Sequence, residues 1–235
     1  MLFRQIFDSE SSTYTYLIAD NFGGDAVIID PVQKKVDQYL KLIQQLDLTL
    51  KAAIDTHLHA DHITAIGQLS EKTGCLSMMG KQSLANCVSK KFTDKDVLTF
   101  NGFELNVIYT PGHTDDSYCF FMNDRVFTGD TLFIRGTGRT DFQNGDAGNQ
   151  YDSLFERILS LPKDTLVYPG HDYNGMTVSS IAEETKFNPR LQVSSRDEYI
   201  ALMNSLNLPP PKLIDIAVPA NKQCGLIGSA VNSSM

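Results

Sequence analysis

Residues 54–62 read IDTHLHADH, which places three of the chain's five histidines and two aspartates within nine positions. The preceding run LKAAI is apolar and reads as a β-strand, so the cluster begins where a strand ends. Three other stretches repeat that arrangement. TPGH, ending at His113, follows LNVIY. TGD, ending at Asp130, follows RVF. PGH, ending at His171, follows TLVY. Four strand ends thus deliver all five histidines and several aspartates. Gly112, Gly129 and Gly170 each precede a candidate ligand, and glycine allows the tight turn that aims the next side chain out of a strand end. A lone histidine is usually a packing or surface residue. Five at strand ends, mixed with carboxylates, form the donor set of a divalent transition metal.

The rest of the chain fits a layered α/β sandwich. Strands are expected at TYTYLIAD, DAVIID, LKAAIDT, CLSMM, FELNVIYT, SYCFFM, DRVFT and TLVYP. Helical spacing marks a helix from about Asp30-Pro31 onward through Val36, Tyr39, Leu40, Ile43 and Leu46. Further helices are expected at 63–72, at KQSLANCV, at QYDSLFERILSL, at MTVSSIAEETKF and at about 196–206, ahead of an irregular tail. The polar segment GDTLFIRGTGRTDFQNGDAGN is too long for a plain connection, which marks it as functional.

Composition narrows the function. Twenty Lys and Arg against 28 Asp and Glu give a net charge of −8, which argues against nucleic acid. No window is long and apolar enough for a membrane span, and the N-terminus lacks the pattern of a signal or transit peptide. Cys75, Cys87, Cys119 and Cys224 are scattered, with no CxxC pair, and are expected to be reduced thiols. A soluble, cytoplasmic, bacterial protein is the expectation.

THLHADH, with His113, Asp130 and His171 in order after it, resembles the signature of the metallo-β-lactamase superfamily. Within it, RGTGRTDFQ, HDYNG at 171–175, NPRL at 188–191 and AVPANKQCG near the end look like the persulfide dioxygenase family. The resemblance implies an αββα sandwich with the metal at the edge between two sheets. It implies a single metallo-β-lactamase-like domain over 1–235, with a core to about 175 and C-terminal helices and tail from about 176. It also implies one Fe(II) per chain on His57, His113 and Asp130, a facial triad that leaves positions for substrate and O₂.

The family further implies that His59, Asp61, His62 and His171 surround those ligands, although residue identity alone would let them hold a second metal. The implied substrates are glutathione persulfide and O₂, with sulfite and glutathione as products. Glutathione carries two carboxylates, and Arg139 and Arg190 stand in matching motifs to grip them. Asp141, Tyr173 and Met176 are implied neighbours of the substrate, and Arg135 supports the loop. No protein nucleophile is expected, and Cys119 and Cys224 are read as non-catalytic. A homodimer is admitted. Two other readings stay open: a glyoxalase II-like thioesterase with two metals, and a non-catalytic persulfide or metal sensor.

Overall fold

The computed structural model describes residues 1–211 and 213–226. The first half of the chain builds a mixed sheet from β1 (Leu2–Asp8), β2 (Thr13–Ala19), β3 (Asp25–Ile29), β4 (Thr49–Ile54), β5 (Leu76–Gly80) and β6 (Lys90–Phe92), paired in sequence order. Helices α1 (Val36–Gln45) and α2 (Ile66–Thr73) are the crossovers that make β3, β4 and β5 parallel. The second sheet has the order β12-β11-β10-β9-β8-β7. Its strands are β7 (Val97–Phe100), β8 (Phe103–Tyr109), β9 (Tyr118–Met122), β10 (Arg125–Gly129), β11 (Leu166–Pro169) and β12 (Ser179–Ser180). Helix α3 (Ala147–Asp152) lies between β10 and β11, and α4 (Ile181–Phe187), α5 (Arg196–Asn204) and α6 (Ile214–Asn221) follow β12.

The alternation within the strands explains the layers. Every residue of β2 is buried, because both faces of its sheet are covered. Tyr14, Tyr16 and Ile18 point between the sheets with Phe120 and Phe127. Leu17 and Ala19 point the other way, onto Val36, Tyr39 and Ile43 of α1. On the far side, Val126 and Val167 pack on Leu154, Ile158, Ile181 and Tyr199. Three apolar layers between four layers of structure make the αββα sandwich.

Tyr39 couples two of those layers. Its ring is fully buried, and its hydroxyl lies 2.9 Å from Thr15 Oγ1 and accepts from Val32 N at 3.1 Å. Tyr39→Phe keeps the ring but strands those partners. Chemical denaturation should show a loss of about 1–2 kcal/mol.

Several expected elements differ. Residues 81–88 are irregular rather than helical: Ser83 Oγ accepts from Ala85 N, and Cys87 is drawn into a disulfide with Cys224. Two of the four cysteines are therefore bridged, and only Cys75 and Cys119 are free. The second helix begins at Ile66 and not at 63, because the amides of Thr64 and Ala65 bond to Asn221 Oδ1 and the Pro31 carbonyl instead. The segment from Met176 is not helical until Ile181. Residues 179–180 pair with β11, and Ser180 Oγ caps the helix by accepting from Glu183 N. QYDSLFERILSL is split between α3 and a π-helical stretch, Ser153–Ile158. The expected irregular tail contains α6, with Pro219 inside it; its remainder from residue 227 lies outside the described residues. No helix among the described residues is long and apolar enough to cross a membrane.

Candidate metal centre

The ends of β4, β8, β10 and β11 open on one edge of the sandwich and carry His57, His113, Asp130 and His171 in the loops that follow. Gly112 (φ +146°) and Gly129 (φ +46°) turn the chain there in conformations a side chain would resist. Gly170 serves differently. Its φ is ordinary, but a Cβ on it would lie 2.5 Å from Asp130 Oδ1, so it makes room for the carboxylate.

Each imidazole has one nitrogen engaged by the protein. His57 Nδ1 lies 3.0 Å from Thr56 Oγ1. His113 Nδ1 donates to the Arg139 carbonyl at 2.7 Å, and His171 Nδ1 to the Ser12 carbonyl at 3.2 Å. His59 Nε2 donates to Asp30 Oδ1 at 3.1 Å, and His62 Nδ1 lies 2.8 Å from Asp61 Oδ2. The opposite nitrogens converge. His113 Nε2 is 3.5 Å from Asp130 Oδ2, and His171 Nε2 is 3.5 Å from both Asp130 Oδ1 and Asp61 Oδ2. His59 Nδ1, His62 Nε2 and Asp130 Oδ1 are buried without a hydrogen-bond partner. Buried polar atoms are rarely left unsatisfied. Tied-off imidazoles whose second nitrogens gather around a carboxylate are what a metal ion needs.

Among the described residues three groups each gather their donor atoms within 4.8 Å of one another: His57, His113 and Asp130; His59, Asp61 and His62; and Asp30 and Asp55 together with that same His59. Burial and neighbouring charges set the protonation of several of these donors. Burial, helped by His59 and His113, holds His57 well below the usual imidazole range and therefore neutral. Burial works against ionisation of Asp61, yet His62 and His171 outweigh it and hold the carboxylate well below its usual range. His59 is the exception. Burial again opposes the charge, but Asp30 in contact lifts its proton affinity to about 10.

Asp30 was not expected here; Asp30-Pro31 reads in the sequence as a helix start. It sits at φ +50°, fully buried, accepting from Thr56 N, Thr56 Oγ1 and His59. A positive φ on a non-glycine residue directly after a buried strand is a strained turn that only structure reveals. Asn221 was missed as well: its amide reaches the carbonyls of His59 and His62. So was Glu184, which is fully buried and accepts from Arg135 N, Ser179 Oγ and Asn188 Nδ2. Asn188 in turn holds the carbonyls of Phe133 and Gly136, so this network fixes the loop after Asp130.

The two arginines have different company. Arg139 Nε and Nη2 grip Asp141 at 2.7 and 2.8 Å, Nη1 donates to the Pro209 carbonyl, and Nη2 also to that of Leu208. Four of its five hydrogens are thus committed within the protein. Arg190 donates through Nη1 to the carbonyl and hydroxyl of Thr137, and no carboxylate pairs with it among the described residues. Burial without an anionic partner lowers its proton affinity. Asp141 is exposed and held below the usual carboxylate range by Arg139. Tyr173 is 71% exposed, its ring stacked parallel to that of His171 at 6.0 Å. Met176 is half-buried and anchored through its backbone by Asp172 and Tyr14. Cys119 is buried, with its thiol pushed up to about 11 by that burial, and Cys224 is bridged, so neither is an available nucleophile.

The described geometry has counterparts. A metallo-beta-lactamase superfamily model matches residues 9–87 and 88–171. The mitochondrial persulfide dioxygenase ETHE1 of Mus musculus is 47% identical over 229 residues, 96% of this chain and 89% of the relative. The crystal structure of ETHE1 from Myxococcus xanthus superposes with a TM-score of 0.93 at 55% identity, covering 96% of this chain and all of that one. A third protein, TTHA1623 in a di-iron-bound form, has a TM-score of 0.67 at 26% identity, over 79% of this chain and 98% of the other.

Proposed function

The chain belongs to the metallo-β-lactamase superfamily and, within it, to the persulfide dioxygenases, and from that premise we propose that it oxidises glutathione persulfide at one Fe(II). In the balanced reaction, glutathione persulfide, O₂ and water give glutathione, sulfite and two protons. The observation that carries this reading is the 47% identity to a persulfide dioxygenase across 96% of the chain.

The donor set fits iron. His57, His113 and Asp130 would hold it, two imidazoles and one carboxylate within 4.8 Å, the ligand class of non-haem Fe(II) oxygenases. Bound there, the iron supplies the redox chemistry that lets O₂ react with a sulfur substrate. The chain's own residues do the rest. Thr56 and the Arg139 carbonyl fix the two ligand rings. Asp30 orients the His59 ring through Nε2, so that Nδ1 faces the cluster. His59, His62 and His171 form a polar wall beside the ligands, and Asp61 balances their charge. Phe133, edge-on to His171 at 6.0 Å, and Tyr173 flank that wall.

On a chain of net charge −8 the substrate carboxylates need local cations. Arg190, without an anionic partner, is the better placed of the two for a bidentate grip. Arg139 contributes its one uncommitted hydrogen and, through Asp141 and the 208–209 carbonyls, the shape of the pocket wall. Arg139→Ala should therefore lower the melting temperature slightly, by the roughly 0.5–1 kcal/mol of a partly exposed ion pair. It should reduce turnover of every persulfide by a similar factor. Thermal melts and oxygen-uptake assays with glutathione persulfide and a small alkyl persulfide test this. A selective loss on glutathione persulfide would instead make Arg139 the main clamp.

A second reading has one observation in its favour. His59, Asp61 and His62 form a second group of donors, and a relative with a di-iron form has the same fold. Two metals bridged by Asp130 would favour hydrolysis of a thioester by a metal-held hydroxide. Metal stoichiometry with both assays separates the two readings.

A further inference from the structure

The loop from His57 to Thr64 carries most of the metal-site donors, yet it has no strand or helix of its own. Its backbone polar groups must find partners elsewhere. At the His57 end Leu58 N donates to Asp116 Oδ2, and the Leu58 carbonyl accepts from Gln143 Nε2. At the far end three of them converge on one side chain, Asn221, about 160 residues away. Asn221 Nδ2 donates to the carbonyls of His59 and His62, both at 2.8 Å, and Oδ1 accepts from Thr64 N at 2.9 Å. Asn221 is only 1% exposed. Every hydrogen and acceptor of its amide faces this loop, where an apolar residue would leave three buried groups unpaired.

What keeps Asn221 there is the turn that follows it. The Cys224 amide donates to the Asn221 carbonyl, and the Cys224 carbonyl accepts from Gly67 N at 3.1 Å. The approach is so close that a Cβ on Gly67 would lie 2.5 Å from that carbonyl oxygen. Gln33 Nε2 donates to the Gly225 carbonyl. The one covalent anchor is the disulfide from Cys224 to Cys87. Cys87 is half-buried in the irregular segment 81–88, where reductants reach it. Outside oxidising compartments such a bridge is commonly transient and redox-sensing rather than structural.

We infer that Asn221 is a positioning residue for the loop bearing His59 and His62, and that the Cys87–Cys224 bridge makes this clamp responsive to thiol redox state. A dithiol opens the bridge by two exchanges: its first thiolate forms a mixed disulfide and releases one cysteine, and its second closes the reductant's own disulfide and releases the other. Two electrons and two protons pass to the cysteines. With the bridge open, the segment carrying Asn221 is held by packing and hydrogen bonds with no covalent anchor, and the loop opens more often.

The test reads the loop and not turnover. Iron-loaded protein, kept anaerobic, is compared as isolated in the oxidised form and after treatment with a water-soluble phosphine. The phosphine becomes its oxide, with water supplying the oxygen and two protons. Hydrogen–deuterium exchange by mass spectrometry follows a peptide spanning residues 58–68, which includes the amides of Thr64 and Gly67, with a β2–β3 peptide as control. Reduction should speed exchange of 58–68 about tenfold, as local opening becomes easier, and leave the control unchanged. Cys87→Ser should match reduced wild type under both conditions. Asn221→Ala should exchange fast under both and lose its response to the phosphine. Equal wild-type rates before and after reduction overturn the inference, as does an Asn221→Ala protein that still responds. Should Asn221→Ala fail to fold, Cys87→Ser decides alone: exchange as slow as oxidised wild type overturns the inference.

Discussion

In the His113→Ala variant, bound iron and persulfide turnover are expected to disappear together. His113 supplies one of the two imidazoles of the proposed triad. Its Nδ1 is fixed by the Arg139 carbonyl, and its Nε2 lies 3.5 Å from Asp130 Oδ2. The other imidazoles are each fixed elsewhere: His57 is in the proposed triad, His59 is held by Asp30, His62 by Asp61 and His171 by Ser12. Partners that merely orient a ligand cost 10–100-fold when lost, so removing the ligand itself should cost at least about 100-fold in metal affinity. The fold should survive. His113 follows the end of β8 in a turn shaped by Gly112, and the strand's core contacts through Leu105 and Val107 are untouched. The check is metal content after gel filtration, beside a circular-dichroism spectrum. Stoichiometric iron in a folded His113→Ala protein would remove the residue from the triad.

Arg190→Ala should leave iron in place and weaken glutathione persulfide selectively. Its guanidinium is half-buried and, among the described residues, bonded only to the carbonyl and hydroxyl of Thr137 through Nη1. Thr137 lies one residue from Gly138, whose Cβ position is 2.9 Å from the His113 ring, so Arg190 stands behind the metal ligands and not at a remote surface. A cation kept partly desolvated without an anionic partner is costly unless an incoming carboxylate is the partner. Losing that charge-assisted pair should cost about 2 kcal/mol, roughly 30-fold in kcat/KM and mostly in KM. Arg190→Lys should recover only part, because ammonium lacks the planar fork. A small persulfide without peptide carboxylates should be turned over nearly as before. An equal loss on both substrates would assign Arg190 to packing around Thr137 and Tyr199 instead.

The contrast between the two arginines shows where sequence stops being informative. Both stand in motifs of the family, and only the fold reveals that Asp141 and the 208–209 carbonyls take up one of them. The clustering of the candidate donors was legible because ligand chemistry is written in residue types, and an apolar run before each motif marks a strand end. The layers were legible because TYTYLIA and DAVII alternate onto two different cores. Contacts across some 160 residues, such as Asn221 with the His59 loop, leave no periodic trace. Nor does the Cys87–Cys224 bridge, whose partners lie 137 residues apart. Residues 81–88 offered helical composition, but tertiary bonding from Ser83 and Cys87 overrode it. In α6 the difference ran the other way: an irregular tail was expected, and packing through Ala217 and Ala220 forms a helix there with Pro219 inside it.

The proposed function requires one iron and a dioxygenase reaction in a site that also offers donors for a second metal. Its most direct test is metal analysis of anaerobically purified protein, combined with oxygen uptake on adding glutathione persulfide. The expected result is one iron per chain and one O₂ consumed per sulfite formed, with no thioester cleavage. Two metals per chain, no persulfide-dependent oxygen uptake and hydrolysis of a glutathione thioester would contradict it.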